Sequence, residues 1–338
     1  MLNIDALKID ARPRPAEKGA AASDTRTAGA GGLAPRPRTI ADTGLSENLL
    51  QDLIAKHLHD AGVLDLGEIA SRTALAGSIV EELVGALRVQ MLVEVKSPAP
   101  GTAGLRYALT DRGRAFALQA LARSGYIGPA PIPLSRYTEV VKAQSVHAHH
   151  VTRERMHKAF VDTVVRQDLL DQLGAALHSG RSIFVHGPAG SGKSYLCRRL
   201  ARLIGEPVLI PHAVAVGDIE VRVFDPIVHR PLMEQHRASH KVATGCDPRF
   251  VLCERPAVIT GGELTMDMLE VGYDPIARQH QAPLQMKAAN GVYVIDDLGR
   301  QRAATVDLFN RWIVPLETRL DYLSLASGKR FPVPFDVV

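Results

Sequence analysis

Gly187-Pro188-Ala189-Gly190-Ser191-Gly192-Lys193-Ser194 fits G-x-x-x-x-G-K-[ST], the phosphate-binding loop, and the fold is read outward from it. Such a motif carries weight only between a strand and a helix. Ile183-Phe184-Val185 is a short apolar run that predicts a buried strand before the loop. Leu196, Leu200, Leu203 and Ile204 recur at helical spacing behind it. The chemistry accounts for the residue types. Glycines let the backbone wrap close to phosphates and aim its N–H groups inward, and a helix N-terminus adds a dipole that favours anions. In this pattern Lys193 reaches the β- and γ-phosphates, and the Ser194 hydroxyl ligates Mg²⁺. A Gly-rich turn could match by chance, but the flanking patterns weigh against it. The motif predicts a nucleotide site.

Val292-Tyr293-Val294-Ile295-Asp296-Asp297 is the second informative stretch. An apolar strand that delivers a carboxylate at its C-terminal end is the Walker B pattern, which holds Mg²⁺ through an Asp. Asp296 takes that role, through a Mg²⁺-bound water. Asp297 sits where many such ATPases carry a Glu that orients and polarises the attacking water. Aspartate is one methylene shorter, which predicts slow hydrolysis or a shifted water. A buried strand ending in an Asp-Asp turn would look the same alone; the phosphate loop upstream favours the Walker reading. Catalytic roles are therefore expected of Lys193 and Asp297, the metal at Ser194 and Asp296, and nucleotide contact along Gly187 to Ser194.

At 338 residues the chain has room for two domains, and its 46% hydrophobic and 22% charged composition is ordinary for a soluble globular protein. No apolar run approaches the length of a membrane span, and Asp5 and Asp10 interrupt anything like a signal peptide. Cys197, Cys246 and Cys253 show neither zinc spacing nor a disulfide framework, so a reducing cytoplasm is the expected home. A net charge of +4 and a pI near 9.0 are too mild to require a nucleic-acid partner.

Residues 1–43 are rich in Ala, Gly, Pro and Arg, and Arg12-Pro13-Arg14-Pro15 and Ala34-Pro35-Arg36-Pro37-Arg38 predict a disordered linker. Residues 44–125 are patterned. Leu49, Leu50, Leu53, Ile54 and Leu58 form one helical stripe, Leu66, Ile69 and Ala70 a second, and Ile79, Val80, Leu83, Val84 and Leu87 a third. Met91 to Val95 and Arg106 to Thr110 read as two strands around a Pro/Gly-rich tip. Three helices and a hairpin in this order resemble a winged-helix domain, as does the phrase Tyr107-Ala108-Leu109-Thr110-Asp111-Arg112-Gly113-Arg114. Winged helices often bind DNA. Here the third helix sets Glu81 and Glu82 against a single Arg88, and the tip has no basic residue before Arg106. Phosphate contacts dominate DNA affinity, so protein docking is expected ahead of nucleic acid.

Residues 126–155 read as a connector with Pro129, Pro131 and Pro133. Its His147, His149 and His150, with His157 beyond, lack the spaced, supported arrangement of a metal site. Helical patterns return at Met156, Phe160, Val161, Val164 and Val165 and again from Leu169 to His178, with Gly180 as a C′ glycine. P-loop ATPases commonly place an adenine-flanking segment there; for Val164 and Val165 core packing is the equal alternative. Pro207-Val208-Leu209-Ile210 is a candidate second strand. Val221 to Gln285 shows few clear elements, and its Asp225 and Glu263 read as solvated or capping carboxylates.

From about Met156 to Val338 the chain resembles the AAA+ ATPases. Lys287 to Asp297 is similar to the run before Walker B in the MoxR-like and helix-2-insert branches, and Leu308-Phe309-Asn310-Arg311-Trp312-Ile313-Val314-Pro315-Leu316-Glu317 resembles their next helix. Tyr322 to Val333, turning at Ser327-Gly328, resembles the hairpin before the sensor strand, and Pro334-Phe335-Asp336-Val337-Val338 the start of that strand. The resemblance implies a three-layer α/β/α P-loop core over 156–338, preceded by the winged-helix-like α+β domain. It implies ATP and Mg²⁺, a homo-oligomeric ring and remodelling of a protein client. Two other functions stay open: a slow nucleotide switch, as in the NB-ARC ATPases that also carry Asp-Asp, and a DNA-linked ATPase using the winged helix. The family would continue past Val338 into a sensor residue, an arginine finger and a helical lid. A truncated core is therefore expected to bind nucleotide weakly and turn it over negligibly, with Val333 to Val338 inserted centrally in the sheet. Arg300, Arg302 and Arg311 follow Walker B without matching the finger.

Overall fold

A computed structural model of the chain describes residues 30–97, 104–148, 151–160, 165–188, 190–203, 206–232 and 246–338. The segment just before residue 44, expected as linker, is packed from Leu33 onward. Ala34 is fully buried in the largest apolar cluster, Pro35 bridges Cys246, and the Asp247 N–H donates to the Ala34 carbonyl at 2.8 Å. The proline-rich composition hides contacts made with residues two hundred positions away. Arg12-Pro13-Arg14-Pro15 lies outside the described residues.

α1 (Glu47–Ala61) starts at Ser46, whose hydroxyl accepts from the Leu49 N–H, and buries Leu50, Leu53, Ile54 and Leu58. β1 (Val63–Asp65), which the sequence reading missed, leads into α2 (Leu66–Thr73). There Asp65 and Glu68 cap each other's backbone N–H groups. α3 (Gly77–Val89) buries the third stripe, Ile79 to Leu87. β2 (Val93–Lys96) and β3 (Arg106–Leu109) pair antiparallel, and β3 also pairs with β1, giving the order β1-β3-β2. α4 (Asp111–Arg123) opens on Thr110 and packs along α1. One apolar cluster joins all of these elements.

The expected connector contributes to the core instead. β4 (Ile132–Pro133) and α5 (Leu134–Ala143) bring Ile132, Tyr137, Val140 and Val141 into the largest cluster. The Gln144 amide then clamps Leu209, donating to its carbonyl at 3.0 Å and accepting from its N–H at 2.9 Å. α6 (Arg153–Ala159), α7 (Gln167–His178) and α8 (Lys193–Leu203) form a separate cluster around Phe160, Leu173 and Leu200.

The region from Val208 to Gln281 holds half of the strands among the described residues. β5 (Val208–Pro211) is followed by β6 (Ala213–Val216), β7 (Ile219–Arg222), β8 (Phe250–Cys253), β9 (Ala257–Thr260), β10 (Gly272–Asp274) and β11 (Gln279–Gln281). β5, expected as the second strand, forms and pairs antiparallel with β8. A five-stranded sheet runs β10-β11-β7-β6-β4. The strand that does run parallel to β12 (Val292–Ile295) is β9, inside the stretch left unassigned from sequence. After α9 (Thr305–Thr318), β13 (Leu320–Ser324) and β14 (Arg330–Pro334) make the expected hairpin. Tyr293 N–H then donates to the Val338 carbonyl at 2.9 Å and Val338 N–H to Gly291 at 3.1 Å, so the last residues lie along β12 opposite β9. Only this final segment enters beside β12, because Arg330 to Pro334 are taken by the hairpin.

The two parts of the molecule are tied by buried polar contacts. The Lys56 ammonium of α1 meets the Glu220 carboxylate of β7 at 3.0 Å, with both side chains at most 2% exposed. The Arg249 guanidinium binds Asp247 and also donates to the carbonyls of Thr43 and Pro131.

Candidate functional site

The phosphate-loop motif joins α8 directly: the helix begins at Lys193, and the Leu196 N–H donates back to the Gly192 carbonyl. Gly190 and Gly192 hold φ of +78° and +85°, left-handed values that favour glycine. The Lys193 ammonium arches over the loop and donates to the carbonyls of Gly187 at 3.0 Å and Pro188 at 2.9 Å. The cation is thus held at the loop by two neutral carbonyl acceptors, which an anion would replace. Ser191 is buried, and its hydroxyl has no hydrogen-bond partner among the described residues. Ser194 is half-buried in the first turn of α8, where helix N–H groups lack intrahelical acceptors. Ala189 lies outside the described residues.

Ile183-Phe184-Val185 does not form the expected strand. Phe184 is 62% exposed, and among the described residues no backbone ladder joins the segment to a neighbour. Ile183 and Val338 both pack against the cluster of α6, α7 and α8, so side-chain contact exists without pairing.

β12 delivers Asp296 and Asp297. The Asp296 N–H donates to the Thr260 carbonyl at 2.7 Å, which pins the turn to the end of β9. Asp296 is half-buried and Asp297 exposed, the latter at φ +51° with its N–H donating to the Asp296 carboxylate at 3.1 Å. α8 packs against both β9 and β12. Burial pushes the Cys197 thiol up, and the negative charge of Asp296 pushes it further. Cys197 is four residues along α8 from Lys193, about one turn. The loop helix and the Asp296 carboxylate therefore share one neighbourhood.

Sequence reasoning missed Gln301, which nothing in periodicity or motif marks. Its amide nitrogen donates to the carbonyls of Asp296 at 2.8 Å and Asp297 at 3.1 Å, while its oxygen accepts from the Gly299 N–H at 2.7 Å. Of the arginines after Walker B, Arg311 is committed to Asp321 at 2.7 Å and Glu270 at 2.8 Å. Arg300 is 81% exposed and 3.7 Å from Asp297, and Arg302 is also exposed. Val165 packs with the helical cluster, and Val164 is outside the described residues.

The remaining polar candidates are engaged elsewhere. Asp225 pairs with Lys287 at 2.8 Å; burial raises its carboxyl, but the lysine bond holds it below the usual range. The exposed Glu263 accepts from the Gly261 N–H at 2.9 Å, which lowers it. His147 lies 3.3 Å from Asp336, and burial, then Arg319, lowers its pKa. His157 contacts Gln167, and His149 and His150 are outside the described residues. Among the described residues no helix is long and apolar enough to cross a membrane.

No curated protein matches the chain. Residues 163–325, which span the phosphate-loop motif, β12 and Gln301, match the family model described as the AAA ATPase domain. That match supports an AAA+/P-loop ATPase on a mixed α/β fold, with ATP binding and hydrolysis as the activity class.

Proposed function

We propose that the chain binds ATP with Mg²⁺ at Gly187 to Ser194 and hydrolyses it to remodel or assemble a protein client, in the manner of the MoxR-like and helix-2-insert branches. The observation that carries this reading is the packing of α8 against β12, which brings Asp296 within electrostatic reach of the first turns of the loop helix. The oxygen donors at hand, the Ser194 hydroxyl and the Asp296 carboxylate, suit a hard cation. Mg²⁺ held by Ser194 and Asp296 would supply positive charge against the negative charge that develops during phosphoryl transfer. Lys193 exchanges the carbonyls of Gly187 and Pro188 for β- and γ-phosphate oxygens. The Asp297 carboxylate accepts a hydrogen bond from the attacking water and aligns it with the γ-phosphorus.

Residues 44–125 serve in this reading as a winged-helix-like docking module within a homo-oligomeric ring. Glu81 and Glu82 are exposed on α3, where they would repel a phosphate backbone, so the partner is a protein. The Asp-Asp pair is tested directly in the full-length assembled protein. Asp297→Asn should retain ATP·Mg²⁺ binding and lose ~10²-fold or more in turnover, the range for a lost general base. Asp296→Ala should weaken Mg²⁺-dependent binding as well. Equal turnover in wild type and Asp297→Asn would remove Asp297 from the mechanism.

A further inference from the structure

We propose that Gln301 is a positioning residue for hydrolysis: its carboxamide fixes the Asp296-Asp297 turn and thereby the direction of the Asp297 carboxylate. The inference rests on the ATPase reading above. The turn holds two residues at positive φ, and the non-glycine one is strained. Asp297 sits at φ +51°, a region that costs most non-glycine residues energy and that Asp tolerates better than most. Two residues on, Gly299 holds φ +99° in a turn closed by the Arg300 N–H on the Asp297 carbonyl at 3.0 Å. Strain of this kind persists only where neighbours over-determine it.

Gln301 supplies that restraint. Three of its hydrogen bonds fall on the turn: on the carbonyls of Asp296 and Asp297 and on the N–H of Gly299. The amide can point only one way. Flipped, its oxygen would face two carbonyl oxygens and its NH₂ would face an N–H. Gln301 is itself anchored from behind, because the next two residues are bound to the loop after β9. The Arg302 N–H donates to Gly262 at 3.2 Å and the Ala303 N–H to Leu264 at 2.9 Å. The ion pair from Arg300 to Asp297 spans 3.7 Å between largely exposed side chains, which is too weak to set the geometry. Gln301 thus couples the loop after β9 to the backbone that carries the Asp297 carboxylate.

The test uses the full-length protein as it assembles, with Gln301→Ala and Gln301→Glu. Both should lower kcat by ~10- to 10²-fold, as expected of a sub-ångström misplacement of a reacting group. Both should leave KM and the ATP·Mg²⁺ dissociation constant within about three-fold, because Lys193 and Ser194 are untouched. Gln301→Glu is the discriminating variant: it keeps the shape and the acceptor for Gly299 but sets a carboxylate against two carbonyl oxygens. Wild-type kcat in either variant would overturn the inference. So would a parallel loss of nucleotide affinity and melting temperature, which would mark Gln301 as merely structural. A wild-type protein that binds ATP without hydrolysing it would instead overturn the ATPase reading, and the inference with it; the wild-type measurement tells the two failures apart.

Discussion

Lys56 carries a full charge into an interface that water does not reach. Its ammonium contacts the Glu220 carboxylate at 3.0 Å and the Tyr126 carbonyl at 3.2 Å. The second Glu220 oxygen is buried without a partner among the described residues. Such a pair gains little over a well-packed apolar pair, but removing one partner strands the other charge and costs about 3–5 kcal/mol. Lys56→Met should therefore destabilise the protein by about that much in urea titration, and Lys56→Met with Glu220→Leu should recover most of the loss. A single variant within about 0.5 kcal/mol of wild type would show that the pair is solvated rather than buried.

Gly291 decides whether the parallel strands can form. A side chain there would place Cβ 2.0 Å from the Pro256 carbonyl oxygen, which is rigid backbone at the start of β9. Gly291→Ala must push β9 and β12 apart, costing about 3 kcal/mol by overpacking and moving Asp296 off its bond to Thr260. Urea titration checks the first effect, and Mg²⁺-dependent nucleotide affinity the second; an unchanged variant on both counts would contradict the register.

The same elements show what the sequence could disclose. α1, α3 and α8 were legible because each carries an apolar stripe at helical spacing, and β12 because an uninterrupted apolar run ends in two carboxylates. β9 was not, since Ala257-Val258-Ile259-Thr260 has no signal that separates a core strand from the strands around it. β5 looked like a core strand and took an antiparallel partner, β8, whose position forty residues on no local pattern encodes. Ile183-Phe184-Val185 has strand composition, but a strand needs a backbone partner. Ala34 and α5 were misjudged because prolines nearby mask residues whose burial depends on distant contacts. Within the site, the loop and the Asp-Asp pair were visible as motifs, whereas Gln301 is defined only by a turn geometry.

At the scale of the whole molecule, histidine burial sets the response to acid. Burial lowers His57, His147, His212, His229 and His280 below the ordinary value of 6.5. His229 is the clearest case: its Nδ1 accepts from the Asp225 N–H, so its Nε2 carries the proton donated to the Lys287 carbonyl. The folded protein then binds fewer protons than the unfolded chain below pH 6.5. Stability is therefore full above that value and falls as the pH drops toward 5. The urea midpoint should decline from pH 7 to pH 5; a midpoint that rose over that interval would contradict the neutral, buried histidines.

Whether the Gly187 to Ser194 loop binds the phosphates of ATP is decided by calorimetric titration of ATP·Mg²⁺ into wild type and Lys193→Ala. Hydrogen bonds between charged groups contribute about 1.5–3 kcal/mol each, so losing the lysine contacts should weaken binding by ~10²-fold or more. Wild type should bind saturably and the variant should show no measurable binding; equal affinity in the two proteins would rule out phosphate binding by Lys193.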